Sequence, residues 1–453
     1  MGTPQAGSLT VLVTSSATPA PRRAPLPEGT LPVGTALLIA GVATFAFFRV
    51  GTIALGSDDA FAPIVSMWFA LFMLAPGFFL PLEQELGRAL SHRKAIGDGG
   101  RPVVNKVLKI GAAITGTVLL VILIASPAIT ADYFAGDWWM LAATATAFAA
   151  YAPAFLARGI LAGLGRFRAY AVVISADGVV RIVAYVALAA IGIEAIGPYA
   201  FAVALSPLVA LIAVGAKGHL STEPGPEAPW NEVTQNLGWL LLGTVCAAAL
   251  LNAGPVAATL LTDVGQQDDV TRFGFGVLLA RIPLFLFQAV QASLLPKLAG
   301  LAARNEFTEF RSGFRKLMFL VLAVGVVGTV GAYLLGPFAL DLLYGAELSR
   351  GTLTMLALSS ATYMGALATA QAVLALRGHA YVAAGWGLGV VSFVVGTAFS
   401  SDDLFRRIEI GLLASSVAAL LSFALALRHK LNAGVRPTSD SVLGAIIDMP
   451  LEG

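Results

Sequence analysis

The chain has 453 residues, of which 57% are hydrophobic and only 12% charged, and its mean hydropathy is +0.83. A soluble domain carries about 25% charge, so one large soluble core is excluded and a string of membrane spans with short loops is expected. The net charge of +2 carries no information about partners, and nothing points to nucleic acid.

Residues 1–30 read as a disordered cytoplasmic tail rich in Pro, Ser, Thr and Ala. Arg22 and Arg23 precede the first apolar run, which reads as a retained helix and not a secretory leader. A helix needs about 20 apolar residues to cross a bilayer. Twelve segments meet this, at 32–55, 60–81, 107–127, 138–157, 169–193, 196–216, 236–261, 273–296, 317–339, 352–376, 380–399 and 408–427. The fifth carries Asp177 and Arg181; the eighth carries Arg281, Gln288 and Gln291. Residues 431–453 read as a second cytoplasmic tail.

With both termini inside, the basic loop residues collect on the inner side; only Arg272, Arg350, Arg406 and Arg407 fall outside. Outer loops are short and acidic, as at Asp58–Asp59, Asp268–Asp269 and Asp402–Asp403. This asymmetry satisfies the positive-inside rule and predicts a multi-pass protein of the plasma (inner) membrane, with the lipid bilayer as its first partner.

Two motifs recur. Leu80-Pro81 ends the second span before a basic loop, as Leu295-Pro296 ends the eighth. Arg168-Ala-Tyr170 lies between the fourth and fifth spans, as His379-Ala-Tyr381 lies between the tenth and eleventh. The offsets nearly agree, which predicts a six-plus-six duplication. The expected fold is an all-α polytopic membrane protein with twelve transmembrane helices in two six-helix lobes, related by a pseudo-two-fold axis along the membrane normal. The N-lobe would be 31–217, the linker 218–231 with Glu223-Pro-Gly-Pro-Glu227, and the C-lobe 232–430.

There is no phosphate-cradling glycine loop, zinc signature or nucleophile elbow, so neither an enzyme nor an ATP-driven pump is indicated. Cys246 is the single cysteine and lies in an apolar run, while His92, His219, His379 and His429 lack ligand spacing; no metal or cofactor is expected. What stands out is four charges inside apolar segments: Arg49, Asp177, Arg181 and Arg281. A charge at that depth costs about 2.5–3.5 kcal/mol on insertion scales and faces a partner or a wet cavity.

Asp177 and Arg181, spaced i, i+4, share a helical face. Either they form a structural ion pair, or they line the cavity and one partner is exchanged during transport. Arg281 lies near the midplane with Pro283 after it and no acid within a turn. It either pairs with another helix, Asp177 being one option, or binds an anion in a cavity with Gln288 and Gln291 on overlapping faces; guanidinium suits phosphate and carboxylate. Arg49 is either a snorkelled anchor or a cavity residue. Asn252 and Pro255 mark a kink with freed carbonyls, either plain packing or cavity lining. Glu83, Glu85 and Arg88 form either a solvated helix end or a cytoplasmic gate.

The run Ala157-Arg-Gly-Ile-Leu-Ala-Gly-Leu-Gly-Arg-Phe-Arg-Ala-Tyr170, the run Ala176-Asp-Gly-Val-Val-Arg181 and the run from Ala280 to Lys297 resemble polysaccharide-biosynthesis membrane proteins. These belong to the multidrug/oligosaccharidyl-lipid/polysaccharide exporter superfamily, in its O-antigen-type flippase branch. The resemblance spans about residues 30–430. It implies two lobes around a central cavity, rocking between inward-open and outward-open states, with Arg49, Asn252 and Arg281 near the cavity. It also implies a polyprenyl-diphosphate-linked sugar as substrate, with glycosyltransferases or a polymerase as possible partners. Lipid II flippases of the superfamily generally have fourteen spans, which counts against that assignment. Three readings follow: a flippase or exporter of lipid-linked oligosaccharide or envelope polysaccharide; a cation- or proton-coupled drug exporter using Asp177; and a non-transporting scaffold for cell-envelope synthesis.

Overall fold

The computed structural model describes residues 29–433, apart from 236, 263–265, 285–286, 288–297, 299 and 303. Among them the regular structure is all helical. The long helices of the first half are α1 (Thr30–Leu55), α2 (Asp58–Ala95), α3 (Arg101–Ile124), α4 (Trp138–Gly163), α5 (Phe167–Ala190) and α6 (Ile196–Gly215). Those of the second half are α7 (Leu237–Leu261), α8 (Asp268–Ala280), α9 (Phe307–Tyr344), α10 (Arg350–Ala375), α11 (His379–Phe399) and α12 (Leu404–Ala433). Eleven are long and apolar enough to cross a membrane; α8 is the exception. The eighth expected span, 273–296, breaks at Arg281, and most of its remainder, with Gln288 and Gln291, lies outside the described residues.

Local chemistry sets the helix starts. Ser57 caps α2 by accepting from the Ala60 amide at 3.1 Å, and Asp58 and Asp59 favour the positive end of the helix dipole. Asp137 caps α4 by accepting from the Trp139 and Met140 amides, and Ser349 caps α10 by accepting from the Thr352 amide. Gly56, at φ 84°, makes the left-handed turn between α1 and α2. The sequence places the end of the second span at 81, yet α2 continues to Ala95 through Pro81 and the expected basic loop. Prolines interrupt membrane helices cheaply because neighbours satisfy the freed carbonyls.

Helix packing repeats between the halves. In the first, α1 packs on α5, α3 on α4, α4 on α6 and α5 on α6; in the second, α7 packs on α11, α9 on α10, α10 on α12 and α11 on α12. The main seam between halves is α2 against α7. At the end bearing the acidic loops one apolar core spans both halves. There Phe48 meets Phe275 edge-on at 6.0 Å, and Phe275 stacks on Tyr344 at 4.2 Å. A second core lies within the second half, nearer the basic end. Phe319, Val327 and Phe338 on α9 and Leu123 and Ile124 on α3 are exposed, as lipid-facing residues are. Helices in lipid associate through packing and hydrogen bonds, since tails are as apolar as leucine. Small residues therefore matter: a Cβ on Gly159 or Gly163 of α4 would come within 2.8 Å of an α2 backbone oxygen.

At the basic end the segment before α7 is strapped to the first half. Arg93 is 4% exposed and reaches both Glu232 oxygens, at 2.8 and 3.0 Å. It also donates to the Gly99 and Pro226 carbonyls. The strap explains the burial of Arg93.

Candidate functional site

Each half holds a pocket containing one buried arginine. The first lies among α1, α2, α4, α5 and α6 and has a volume of about 680 Å³. Trp68, Phe72, Tyr151 and Phe155 give it aromatic walls, and Asp177, Arg181 and Arg158 supply its charges. Arg181, 2% exposed, donates to Asp177 Oδ2 at 2.8 Å across one turn of α5. Tyr151 donates to the same oxygen at 3.1 Å, and Ser206 of α6 donates to Oδ1 at 2.5 Å. The Arg181 guanidinium lies 4.5 Å from the Trp68 ring and 5.3 Å from Phe47, close enough for cation–π attraction. The carboxylate thus holds three donors and the arginine an acid plus two rings.

Toward the basic end this pocket is bounded by Arg158, which pairs with Glu83 Oε2 at 2.8 Å. Tyr170 donates to Glu83 Oε1 at 2.8 Å. The trio read as a gate is therefore split. Glu83 is buried and bonded within the first half, away from the solvated end expected for it, while Glu85 pairs with Arg88 at 2.8 Å. Arg88 also donates to the Glu232 carbonyl, so it touches the strap.

The second pocket lies among α7, α8, α10 and α12, with a volume of about 420 Å³. Arg281, 8% exposed, sits where α8 ends. It donates to Asn252 Oδ1 at 3.3 Å and to the Leu251 carbonyl, and lies 5.5 Å from the Phe69 ring. No carboxylate pairs with it among the described residues. Asp177, one partner considered for it, is committed to Arg181. Ser359, Ser360, Tyr363 and Ser416 give the same pocket hydroxyls.

Proline explains how these contacts arise. Pro255 cannot donate to the Leu251 carbonyl one turn back, and Arg281 takes that acceptor. Pro76 frees the Phe72 carbonyl, which accepts from Asn252 Nδ2 at 3.0 Å. Pro81 frees the Gly77 carbonyl, which accepts from Thr244 at 2.8 Å. The α2–α7 seam is thus built on carbonyls released by proline, and Asn252 bridges that seam to Arg281.

Arg49 does not join this group. It is exposed at the acidic end of α1 and donates to the Tyr344 carbonyl of α9 at 2.7 Å, across the halves. The structure brings Arg281 and Asn252 together and leaves Arg49 apart. Sequence reasoning missed Tyr151, Ser206, Arg158, Ser359 and Tyr363. One signal was available: Tyr151 and Tyr363 stand equally far from the first residues of α4 and α10, at an offset one residue longer than that between Tyr170 and Tyr381. Among the described residues no cluster of His, Cys, Asp and Glu suits a metal ion.

No family model matches the chain. Uncharacterised proteins of Mycobacterium bovis and Mycobacterium tuberculosis are 26% identical over 405 residues, covering 86% of this chain and 88% of theirs. An inward-facing multidrug resistance MATE family transporter of the MOP superfamily aligns with a TM-score of 0.67 at 12% identity, covering 89% of this chain and 98% of that one. An outward-facing structure of such a transporter gives 0.64 at 14%, covering 89% and 96%. A MATE transporter of Vibrio cholerae gives 0.63 at 16%, covering 90% and 97%. The chain has the MATE fold, and it is a multi-pass membrane protein.

Proposed function

We propose that the protein is an alternating-access exporter that flips a lipid-linked oligosaccharide or cell-envelope polysaccharide precursor, with the anionic head group of the cargo drawn to Arg281. The observation that carries this is the state of that arginine: buried, hydrogen-bonded to neutral oxygens, and unmatched by any acid among the described residues. A lone buried cation costs several kcal/mol unless a negative charge meets it, and a diphosphate supplies one. The fold, shared with solved MATE structures in inward-facing and outward-facing forms, supports a rocking motion that would expose the Arg281 pocket to the space between the lobes.

Orientation follows the positive-inside pattern: the strapped, basic end faces the cytoplasm of a plasma (inner) membrane, and both termini lie there. The aromatic contacts at the acidic end then hold the outer side shut in this structure. Transfer of labelled polyprenyl-diphosphate sugar across reconstituted vesicles tests the reading. Wild type transfers the label and Arg281→Ala loses at least tenfold in rate; no transfer by wild type, or none lost in the variant, overturns it.

A drug exporter coupled through Asp177 is the second reading, favoured by the aromatic walls that Trp68, Phe72, Tyr151 and Phe155 set around that carboxylate. Against it, Asp177 already accepts from Arg181, Tyr151 and Ser206, which occupies three of the roughly four lone-pair sites of a carboxylate. Dye efflux driven by a pH gradient and abolished by Asp177→Asn would reinstate it.

A further inference from the structure

We propose that the C-lobe pocket is a binding site for a small monovalent inorganic anion of the halide class, which serves as the counter-charge of Arg281 in the cargo-free protein. Two independent features converge there. The first is the guanidinium, which has five N–H groups, two of them spent on Asn252 Oδ1 and the Leu251 carbonyl. The second is Ser359, 5% exposed, a residue of the same pocket lining whose buried Oγ has no hydrogen-bond partner. An orphaned buried hydroxyl is uncommon in native structures and calls for an explanation. Beside a lone buried arginine, an anion accepting from both groups supplies it.

The lining selects the class. In the cargo-free pocket one arginine neutralises one negative charge, and a divalent oxyanion would remain uncompensated; the diphosphate of the proposed cargo meets Arg281 only once rocking exposes the pocket to the water-filled space between the lobes. Guanidinium is weakly hydrated and matches anions that lose water readily. The remaining walls are Leu250, Leu251, Leu284, Leu356 and Leu412 with Gly254 and Pro255, which leave bulky polar groups unsatisfied. Tyr363 cannot compete for the site as a donor, because its hydroxyl proton is committed to the Ala247 carbonyl at 3.1 Å. Ser360 and Ser416 are the further hydroxyls that can turn toward an anion. The site differs in kind from the N-lobe pocket, where Asp177 fills the same need from within the chain. On the proposed function, the head group of the cargo displaces this resident anion, so outward cargo movement is linked to anion exchange.

The test uses the full-length protein in detergent, unfolded thermally at constant ionic strength while chloride replaces gluconate. A ligand bound only by the folded state raises the midpoint in a saturable way. The expected result is a saturable rise with chloride, bromide or nitrate and none with sulfate. Ser359→Ala raises the half-saturating concentration at least threefold, and Arg281→Met abolishes the rise. Anomalous diffraction from bromide-soaked crystals should place a peak against the Arg281 guanidinium, and this arm stands even if Arg281→Met fails to fold. A wild type indifferent to chloride, an Arg281→Met protein that keeps the rise, or a peak elsewhere overturns the proposal. Failure here leaves vesicle transfer of lipid-linked sugar to be judged on its own, and failure of transfer leaves anion binding intact.

Discussion

The two halves pack their helices alike and each sets a buried arginine in a pocket, yet they settle its charge in opposite ways. In the N-lobe, Arg181 sits within a turn of Asp177, and Tyr151 and Ser206 complete the carboxylate. In the C-lobe, Arg281 stands on a different helix, and Tyr363, at the place of Tyr151, spends its proton on a backbone carbonyl. The helix equivalent to α5, α11, carries no Asp, Glu, Lys or Arg. The same helix pairings thus surround one self-neutralised pocket and one whose arginine has no acid among the described residues. On the proposed function, the first is a structural element and the second is the place for a ligand.

The largest expected effect separates the two directly. Asp177→Ala strands Arg181 in an apolar setting and should destabilise the fold by about 3 kcal/mol or more, read as a lowered thermal midpoint. Arg281→Met removes an unpaired charge instead, so its midpoint in chloride-free buffer should match or exceed that of wild type. Equal losses in both would end the comparison.

A smaller effect probes the paired tyrosines. Tyr151→Phe removes a hydrogen bond to a charged group and should cost about 1.5–3 kcal/mol, whereas Tyr363→Phe removes a neutral one and should cost about 0.5–1.5 kcal/mol. Chemical denaturation of both variants gives the ranking; a reversed order would mean that Asp177 is not the ion-pair centre. The finest probe is Ser359→Asp, which places an acid in the C-lobe pocket. It should make the protein indifferent to chloride and slow transfer of anionic cargo, so that the two pockets come to behave alike. Transfer unaffected by that acid would argue that cargo never meets the pocket.

Much of this was legible in the sequence, for physical reasons. Apolar runs of span length gave the helices, because a bilayer forces backbone polar groups to pair within each segment. The i, i+4 spacing of Asp177 and Arg181 gave their ion pair, a local contact. Long-range partners were not legible: Glu83 finds Arg158 and Tyr170, and Arg93 finds Glu232, only once α2 lies against α4 and the linker folds back. The run of α2 to Ala95 was missed because Pro81 was taken as a stop, whereas in this helix it frees the Gly77 carbonyl, to which Thr244 donates. Freed carbonyls were read at Pro255 but not at Pro76 or Pro81, where they mark the acceptors used by Asn252 and Thr244.

The most direct measurement of the central claim is binding of polyprenyl diphosphate against the uncharged polyprenol of the same length, in wild type and Arg281→Met. The account predicts that wild type prefers the diphosphate at least tenfold and that the variant binds both alike with its fold intact. A variant that keeps the full preference would contradict it.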